Sequence, residues 1–222
     1  MRYRANLSNF MSTDIYGITA DGYSLGRGNI ETVKQMVSAG VKVVQYREKK
    51  KNARTMYEEC VEIREITRRS GVTFIVNDHV DLAVAVNADG VHLGQDDLPP
   101  ERVRAMIGDE MIIGLSTHSA AQAREAERLG GTIDYIGVGP IFATRTKEDV
   151  CEPVGLEYLG YVAGNIDLPF VAIGGIKEHN IAVVRAGGAR IVSLVTEIVG
   201  AADIPGKLAA IRLRGGSAET NS

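Results

Sequence analysis

The chain has 222 residues, which is the size of one α/β barrel or one open α/β sheet. Hydrophobic residues make up 45% of it and charged residues 24%, and the net charge of −3 argues against nucleic acid as a partner. No apolar run approaches the roughly 20 residues that span a membrane, and the first residues lack the apolar core of a secretory signal, so we expect no membrane partner and a cytoplasmic location.

Short apolar runs that end abruptly at polar residues alternate along the chain with stretches of helical spacing. We predict eight strands, at 14–20, 41–44, 72–76, 90–93, 111–115, 134–138, 169–173 and 189–192. Helices are predicted between and after them, at 29–39, 53–70, 80–88, from Pro99 onward, and at 119–130, 155–163, 177–186 and 205–212. This alternation indicates a single-domain (β/α)8 barrel over 14–214, after a leading segment with a short helix (1–13) and before a polar, disordered tail (215–222).

A doubly wound open sheet is the rival architecture. That fold usually carries one glycine fingerprint, placed after its first strand. Here polar residues follow nearly every predicted strand, and a barrel gathers its functional groups from the carboxyl ends of many strands. We therefore favour the closed ring, an α/β fold of the TIM-barrel type.

Two acidic residues end neighbouring strands. Asp78 follows the strand at 72–76 and Asp97 follows the strand at 90–93, and the intervening helix makes these strands parallel neighbours. Both carboxylates should therefore face one crevice. Since Mg2+ is commonly bound through one or two carboxylates plus substrate phosphates, the pair predicts one Mg2+ per subunit. The alternative is that each Asp only caps the next helix.

A cluster of polar residues ends the second strand. A period of two puts Gln45, Arg47 and Lys49 on one side of the chain. Two cations and an amide match a polyanion, most simply a diphosphate. The alternative is a solvated run of charge, which we take to account for Lys50 and Lys51.

A long loop at 139–153 follows the sixth strand and carries Thr144, Thr146 and Lys147. Loops of this length without secondary structure are often binding loops. Two hydroxyls and an ammonium would close over phosphate oxygens. The alternative is an ordinary polar loop.

The last two strands also end in groups that suit a phosphate. Gly174 and Gly175 follow the seventh strand and Ser193 follows the eighth, the position where barrels often bind phosphate through backbone N–H groups. Ser116 ends the fifth strand, and because no hydrolase pattern surrounds it we expect it to form hydrogen bonds. His92, inside a strand, is expected to be structural. One divalent cation, one diphosphate cluster and one phosphate cradle together indicate two phosphorylated substrates that react with loss of diphosphate.

These motifs resemble those of the thiamine phosphate synthase family over roughly residues 14–200. The segments that carry the resemblance are Tyr16–Thr19, Gln45–Lys49, Val76–Asp78, Gly90–Asp97, Gly114–His118, Gly139–Lys147, Ala172–Ile176 and Ile191–Ser193. The resemblance implies a (β/α)8 transferase that joins a pyrimidine methyl diphosphate to a hydroxyethyl-thiazole phosphate, through a pyrimidine methyl cation.

The resemblance also implies a role for each site residue. Asp78 and Asp97 would bind Mg2+. The residues that would hold the pyrimidine diphosphate are Gln45, Arg47, Lys49, Asn77, Ser116 and Lys147. Those that would hold the thiazole phosphate are Thr144, Thr146, Gly174, Gly175, Val192 and Ser193. Four of them, Arg47, Lys49, Ser116 and Lys147, would act in catalysis.

Two other functions stay open. A thiazole tautomerase would need the thiazole site without the full diphosphate site, and His118 is the residue that supports it. A non-catalytic, phosphate-binding barrel would predict loss of a metal-binding acid or of Lys147, and neither is lost. The expected partners are small phosphorylated heterocycles, and the oligomeric state is open, with a homo-oligomer among the choices.

Overall fold

The computed structural model describes residues 2–144 and 151–216. Eight parallel strands form one sheet in the order of the sequence, each bonded to the next. They are β1 (Tyr16–Ile18), β2 (Val43–Tyr46), β3 (Thr73–Asn77), β4 (Gly90–Leu93), β5 (Ile112–Thr117), β6 (Tyr135–Val138), β7 (Phe170–Ile173) and β8 (Ile191–Ser193). A parallel bridge between Ile15 and Val192 joins β8 back to β1, so the sheet closes and the predicted TIM barrel is confirmed.

Helices surround the strands. The described residues contain α1 (Arg2–Ser12), α2 (Gly28–Ser38), α3 (Ala53–Arg69), α4 (Val80–Ala85), α5 (Pro100–Ile107), α6 (Ala120–Arg128), α7 (Gly155–Asn165), α8 (Ile181–Ala186), α9 (Val195–Val199) and α10 (Ile204–Gly215). The sequence does not predict α9, because five residues are too few to show a helical period. None of these helices is long and apolar enough to cross a membrane. The predicted disordered tail falls mainly on 217–222, outside the described residues.

Helix α3 shows how local sequence sets an element. Met56, Cys60, Ile63 and Thr67 recur at helical spacing, and all four are buried. The Asn52 side chain accepts a hydrogen bond from the Thr55 N–H and so caps a free donor at the first turn. This one-sided pattern lets the helix cover the barrel while its outer face stays in solvent.

The core has two layers, because successive strand residues point to opposite sides of the sheet. Inside the barrel lie side chains from most strands and one from α1: Phe10, Tyr16, Ile18, Val43, Ile75, Ile112, Tyr135, Val171 and Ile191. The outer layer packs the other side of the strands against the helices and is wholly apolar in places, as at Phe74 and Val76. Burial on both sides explains why the strands are continuous apolar runs.

The amino-terminal end of the barrel is covered by α1. Phe10 is fully buried, and its ring centroid lies 4.3 Å from that of Tyr135 and 6.1 Å from that of Tyr16. Three aspartates that stand just before strands also lie at this end, each paired with an arginine: Asp14 with Arg212, Asp89 with Arg64, and Asp134 with Arg104. This end is therefore packed and internally neutralised, and the cavity opens at the other end.

Candidate active site

A cavity of about 980 Å³, counting the solvent space at its opening, lies at the carboxyl ends of the strands. This is the end at which TIM barrels carry their active sites. The predicted residues that line it are Gln45, Arg47, Asn77, Ser116, Thr144, Gly174, Gly175 and Ser193. The fold therefore brings together residues that are as far apart in sequence as β2 and β8. Thr146 and Lys147 lie outside the described residues.

Lys49, Asp78 and Asp97 stand next to one another beside this cavity. The Lys49 ammonium forms an ion pair with the Asp78 carboxylate. Burial raises the pKa of the Asp97 carboxyl; the Gly94 N–H opposes this shift and the adjacent Asp78 carboxylate adds to it. The Gly94 N–H donates to Asp97 Oδ2 at 2.6 Å and so fixes that carboxylate.

The backbone of Asp78 also has an uncommon shape. Its φ angle is +60°, in the left-handed region that non-glycine residues seldom adopt. The Asp78 N–H donates to the His92 carbonyl at 2.9 Å, which holds the residue against β4. Strained residues of this kind gather at functional sites, and here the strain places one acid beside the other.

Arg47 lies between this acidic pair and the interior of the cavity. Burial lowers the pKa of the Arg47 guanidinium, and the negative charges of Asp78 and Glu48 offset part of that effect. Its backbone N–H donates to Thr19 Oγ1 at 2.8 Å. A desolvated cation that lines an open cavity is well placed to bind an anion.

The loop that carries Lys49 is anchored by Lys51. The Lys51 ammonium lies 2.6 Å from Glu59 Oε1 and 2.7 Å from Asp21 Oδ2, and its side chain is 22% exposed. The Tyr46 hydroxyl donates to Glu59 at 2.6 Å. Our interpretation of Lys51 as part of a solvated charge run is therefore wrong, because the fold brings α3 and the loop after β1 against it.

A chain of hydrogen bonds crosses the bottom of the cavity. Gln45 Nε2 donates to the Tyr16 hydroxyl at 3.0 Å, and that hydroxyl lies 2.7 Å from the Tyr135 hydroxyl. His92 then joins Tyr135 to Ser116, with its ring nitrogens 2.9 Å from each hydroxyl. His92 lines the cavity as well as supporting it. Neither tyrosine is among the residues predicted for the site, although both lie in predicted strands.

The glycines after β7 make room for the loop after β6. A Cβ atom at Gly175 would lie 2.6 Å from the Ala143 carbonyl oxygen, and one at Gly174 would lie 2.4 Å from Pro140 Cα. The Phe142 N–H donates to the Gly174 carbonyl at 3.0 Å. These contacts bring the loop with Thr144 to the ends of β7 and β8.

Ser193 is 1% exposed, and its hydroxyl has no hydrogen-bond partner among the residues that the structure describes. A buried, unpaired hydroxyl is costly, and here it lines a cavity in which a ligand could satisfy it. Its neighbour Val192 points the other way, into the outer core, and the Val192 N–H already donates to the Asp14 carbonyl. The Val192 side chain and N–H therefore both have partners within the fold.

His118, the residue that would support a tautomerase, lies apart from the cavity lining seen in the described residues. Its Nδ1 atom lies within hydrogen-bonding distance of the Gly139 carbonyl, and its backbone N–H donates to Gln122 Oε1 at 2.7 Å. The imidazole thus holds the start of the loop after β6.

Comparison with known proteins identifies the family of this chain. A family model described as "Thiamine monophosphate synthase" matches residues 15–198. A thiamine-phosphate synthase from Pelotomaculum thermopropionicum is 69% identical over 209 residues, which cover 94% of this chain and 95% of the relative. One from Lawsonia intracellularis is 53% identical, over 91% of this chain and 92% of that relative.

A solved structure shows the same fold. It is a thiamine phosphate pyrophosphorylase from Pyrococcus furiosus, with a TM-score of 0.83 and 32% sequence identity, over 96% of this chain and 97% of that one. The family resemblance of the motifs is thereby confirmed along the length of the barrel. The chain belongs to the thiamine monophosphate synthase family and is a thiamine-phosphate synthase, a transferase.

Proposed function

We propose that this enzyme joins 4-amino-2-methyl-5-(diphosphooxymethyl)pyrimidine to 4-methyl-5-(2-phosphooxyethyl)thiazole, forming thiamine phosphate and diphosphate. The observation that carries the proposal is that polar residues suited to anions stand at two separate groups of strand ends around one cavity. Arg47 and Lys49, with the acidic pair, lie on one side, and Thr144, Gly175 and Ser193 lie on the other. Two phosphorylated substrates need two such groups if their reacting atoms are to meet between the phosphates.

The diphosphate side supports a reaction in which the leaving group departs first. The bond between the pyrimidine methylene carbon and the diphosphate oxygen breaks, and its electron pair leaves with the diphosphate. Arg47, Lys49 and Lys147 are the residues that we assign to hold the negative charge that develops there. A dissociative step of this kind needs no strong base.

The acidic pair fits a magnesium ion. The adjacent Asp78 carboxylate disfavours the charged form of Asp97, and a bound cation would relieve that repulsion. Two carboxylates with room for phosphate oxygens and water match the ligands that Mg2+ takes in phosphate-binding sites. When bound, one Mg2+ per subunit would neutralise charge on the diphosphate.

The hydrogen-bond chain supports the pyrimidine ring. We assign Gln45, Asn77 and Ser116 to bind the heteroatoms of the ring, since all three line the cavity next to the diphosphate side. Tyr16 and Tyr135 fix the Gln45 end of the chain. The ring is thereby held in one orientation while the cation forms.

The second half of the reaction is capture of the cation. The lone pair of the thiazole nitrogen forms a bond to the pyrimidine methylene carbon, and the positive charge passes to the thiazolium ring of the product. We assign Thr144, Thr146, Gly174, Gly175 and Ser193 to hold the thiazole phosphate so that its nitrogen faces the methylene carbon, with Val192 fixing the end of β8 on which Ser193 stands. We also place this reaction in the cytoplasm.

The test is to mix the purified protein with both precursors, with and without Mg2+, and to follow both products. We expect thiamine phosphate and diphosphate in equal amounts, and only when Mg2+ is present. Equal turnover in EDTA would overturn the assignment of Asp78 and Asp97. Isomerisation of the thiazole without condensation would favour a tautomerase instead.

A further inference from the structure

Lys177 is a charged residue of the cavity that the function proposed above does not use. It lies between β7 and α8 and lines the cavity with Gly175 and Ser193. Its ammonium donates to Thr196 Oγ1 at 3.0 Å and lies 3.2 Å from Glu197 Oε2. An ammonium has three N–H donors, so these contacts with described residues leave one for a ligand.

Among the residues that the structure describes, the thiazole side of the cavity has little positive charge without Lys177. Thr144, Gly175 and Ser193 are uncharged, whereas a phosphate monoester carries between one and two negative charges at neutral pH. Among the described residues that line the cavity, the cationic side chains are Arg47 and Lys177. Arg47 follows β2, on the diphosphate side, and so Lys177 is the nearer of these two described cations to the ends of β7 and β8.

Glu197, the ion-pair partner of Lys177, also contacts a second lysine. Glu197 Oε1 also lies 3.5 Å from the Lys207 ammonium, and Lys207 lies 2.9 Å from Glu178. Glu197 therefore keeps a counter-charge if Lys177 turns away from it. Lys177 can exchange one anion for another without leaving the half-buried Glu197 carboxylate unpaired.

We propose that Lys177 is a specificity-determining residue that binds the phosphate of the thiazole substrate and selects the phosphorylated thiazole over the free alcohol. This inference rests on the proposed condensation, because that reaction supplies the second phosphate. The ammonium turns from Glu197 toward the phosphate oxygens, next to the unpaired Ser193 hydroxyl, while Thr196 keeps its hydrogen bond.

The test compares Lys177→Met, which keeps the aliphatic stem, with Lys177→Arg, which keeps the charge. Lys177→Met should raise the KM for the thiazole phosphate about tenfold or more and leave the KM for the pyrimidine diphosphate unchanged. With 4-methyl-5-(2-hydroxyethyl)thiazole, the alcohol, the variant should match the native enzyme. Lys177→Arg should recover most of the lost affinity.

Lys207→Met is the matched control, because Lys207 shares Glu197 and is absent from the cavity lining in the described part of the chain. It should leave both KM values unchanged. Equal losses in the two variants, or an equal loss with the alcohol, would overturn the inference. Calorimetric binding of the thiazole phosphate to native and Lys177→Met protein separates the two proposals. Equal affinities overturn this inference, whereas absence of product from the native enzyme overturns the condensation.

Discussion

Both ends of the barrel carry aspartates, but the surroundings of these aspartates differ. Those at the amino-terminal end are paired with arginines, whereas Asp97 at the other end lies beside a second carboxylate. At the amino-terminal end, Asp89 is 3% exposed and accepts hydrogen bonds from Arg64, from Asn6 and from the Phe74 N–H. At the carboxyl-terminal end, Asp97 faces a second carboxylate, and burial raises its pKa.

This difference indicates that the amino-terminal end stabilises the fold and that the carboxyl-terminal end carries the reactive groups. An acid whose oxygens already accept several hydrogen bonds, such as Asp89, stabilises the fold and has little capacity left to bind a ligand. An acid held beside a like charge costs stability and keeps its oxygens available to a ligand. Substitutions at the two ends should therefore change different measurements.

The largest effect should come from Asp97→Asn at the carboxyl-terminal end. We expect kcat/KM to fall about 100-fold or more, because the Mg2+ ion that we propose would lose one of its two carboxylate ligands. The melting temperature should stay the same or rise, since the repulsion from Asp78 is removed. Mg2+-dependent turnover and thermal unfolding are the measurements. The exposed neighbour gives the control Asp96→Asn, and equal activity of the two variants would contradict our assignment.

At the amino-terminal end, Asp89→Ala should show the reverse. Removing Asp89 from this buried ion pair deprives Arg64 of the Asp89 counter-charge and should lower the free energy of unfolding by about 3–5 kcal/mol. Urea denaturation measures this, and kcat of the folded fraction should stay near the native value. Glu65→Ala breaks an exposed ion pair and should leave the urea midpoint unchanged. A stable but inactive Asp89→Ala enzyme would remove the contrast between the two ends.

A smaller effect should follow from Lys51→Met, which tests whether the carboxyl-terminal end also needs support. Loss of the bonds to Asp21 and Glu59 should loosen the loop that carries Lys49 and lower kcat/KM for the pyrimidine diphosphate about tenfold. Steady-state kinetics with each precursor varied in turn measures it. Lys50→Met changes an exposed neighbour and should have no effect. Equal kinetics in the two variants would show that the anchor is dispensable.

The smallest effect should come from Arg212→Gln at the amino-terminal end. Burial would raise the pKa of Asp14, but the bonds and charge of Arg212 outweigh it and hold that pKa below the ordinary 3.8. The pair therefore contributes stability above pH 3.8 that is lost as the pH falls through the folded pKa. Because both side chains are about one-third exposed or more, we expect less than about 1 kcal/mol at pH 7. Urea denaturation at pH 7 and pH 3 measures it. A difference from native protein that grew in acid would contradict the assignment.

Much of the barrel could be predicted from the sequence because its strands are buried on both sides. Continuous apolar runs such as that of β3 stand out from polar ends, and the residues at those ends are the ones that line the cavity. The short α9 has no such signal. The boundaries of β1 and β8 also differ from the prediction: β1 is shorter at both ends, whereas β8 begins and ends later than its apolar run.

The parts of the site that escaped prediction depend on contacts between distant elements. Lys177 looks like an ordinary loop lysine until the fold brings Thr196 beside it. In the sequence Lys51 looks like part of a charge run, but in the structure its ammonium forms ion pairs with Asp21 and Glu59. The aspartates before β4 and β6 were not predicted to form ion pairs, because their arginine partners lie on α3 and α5.

The packing of Phe10 under the barrel has a kinetic consequence. With α1 across the amino-terminal end, both precursors and both products must exchange through the carboxyl-terminal opening of the cavity. On our assignment the pyrimidine ring contacts the hydrogen-bond chain at the bottom of this cavity, so we expect a bound thiazole to hinder its exit. We therefore expect the order in which the precursors are added to matter in rapid-mixing experiments, with trapped complexes that form from one order of addition and not from the other.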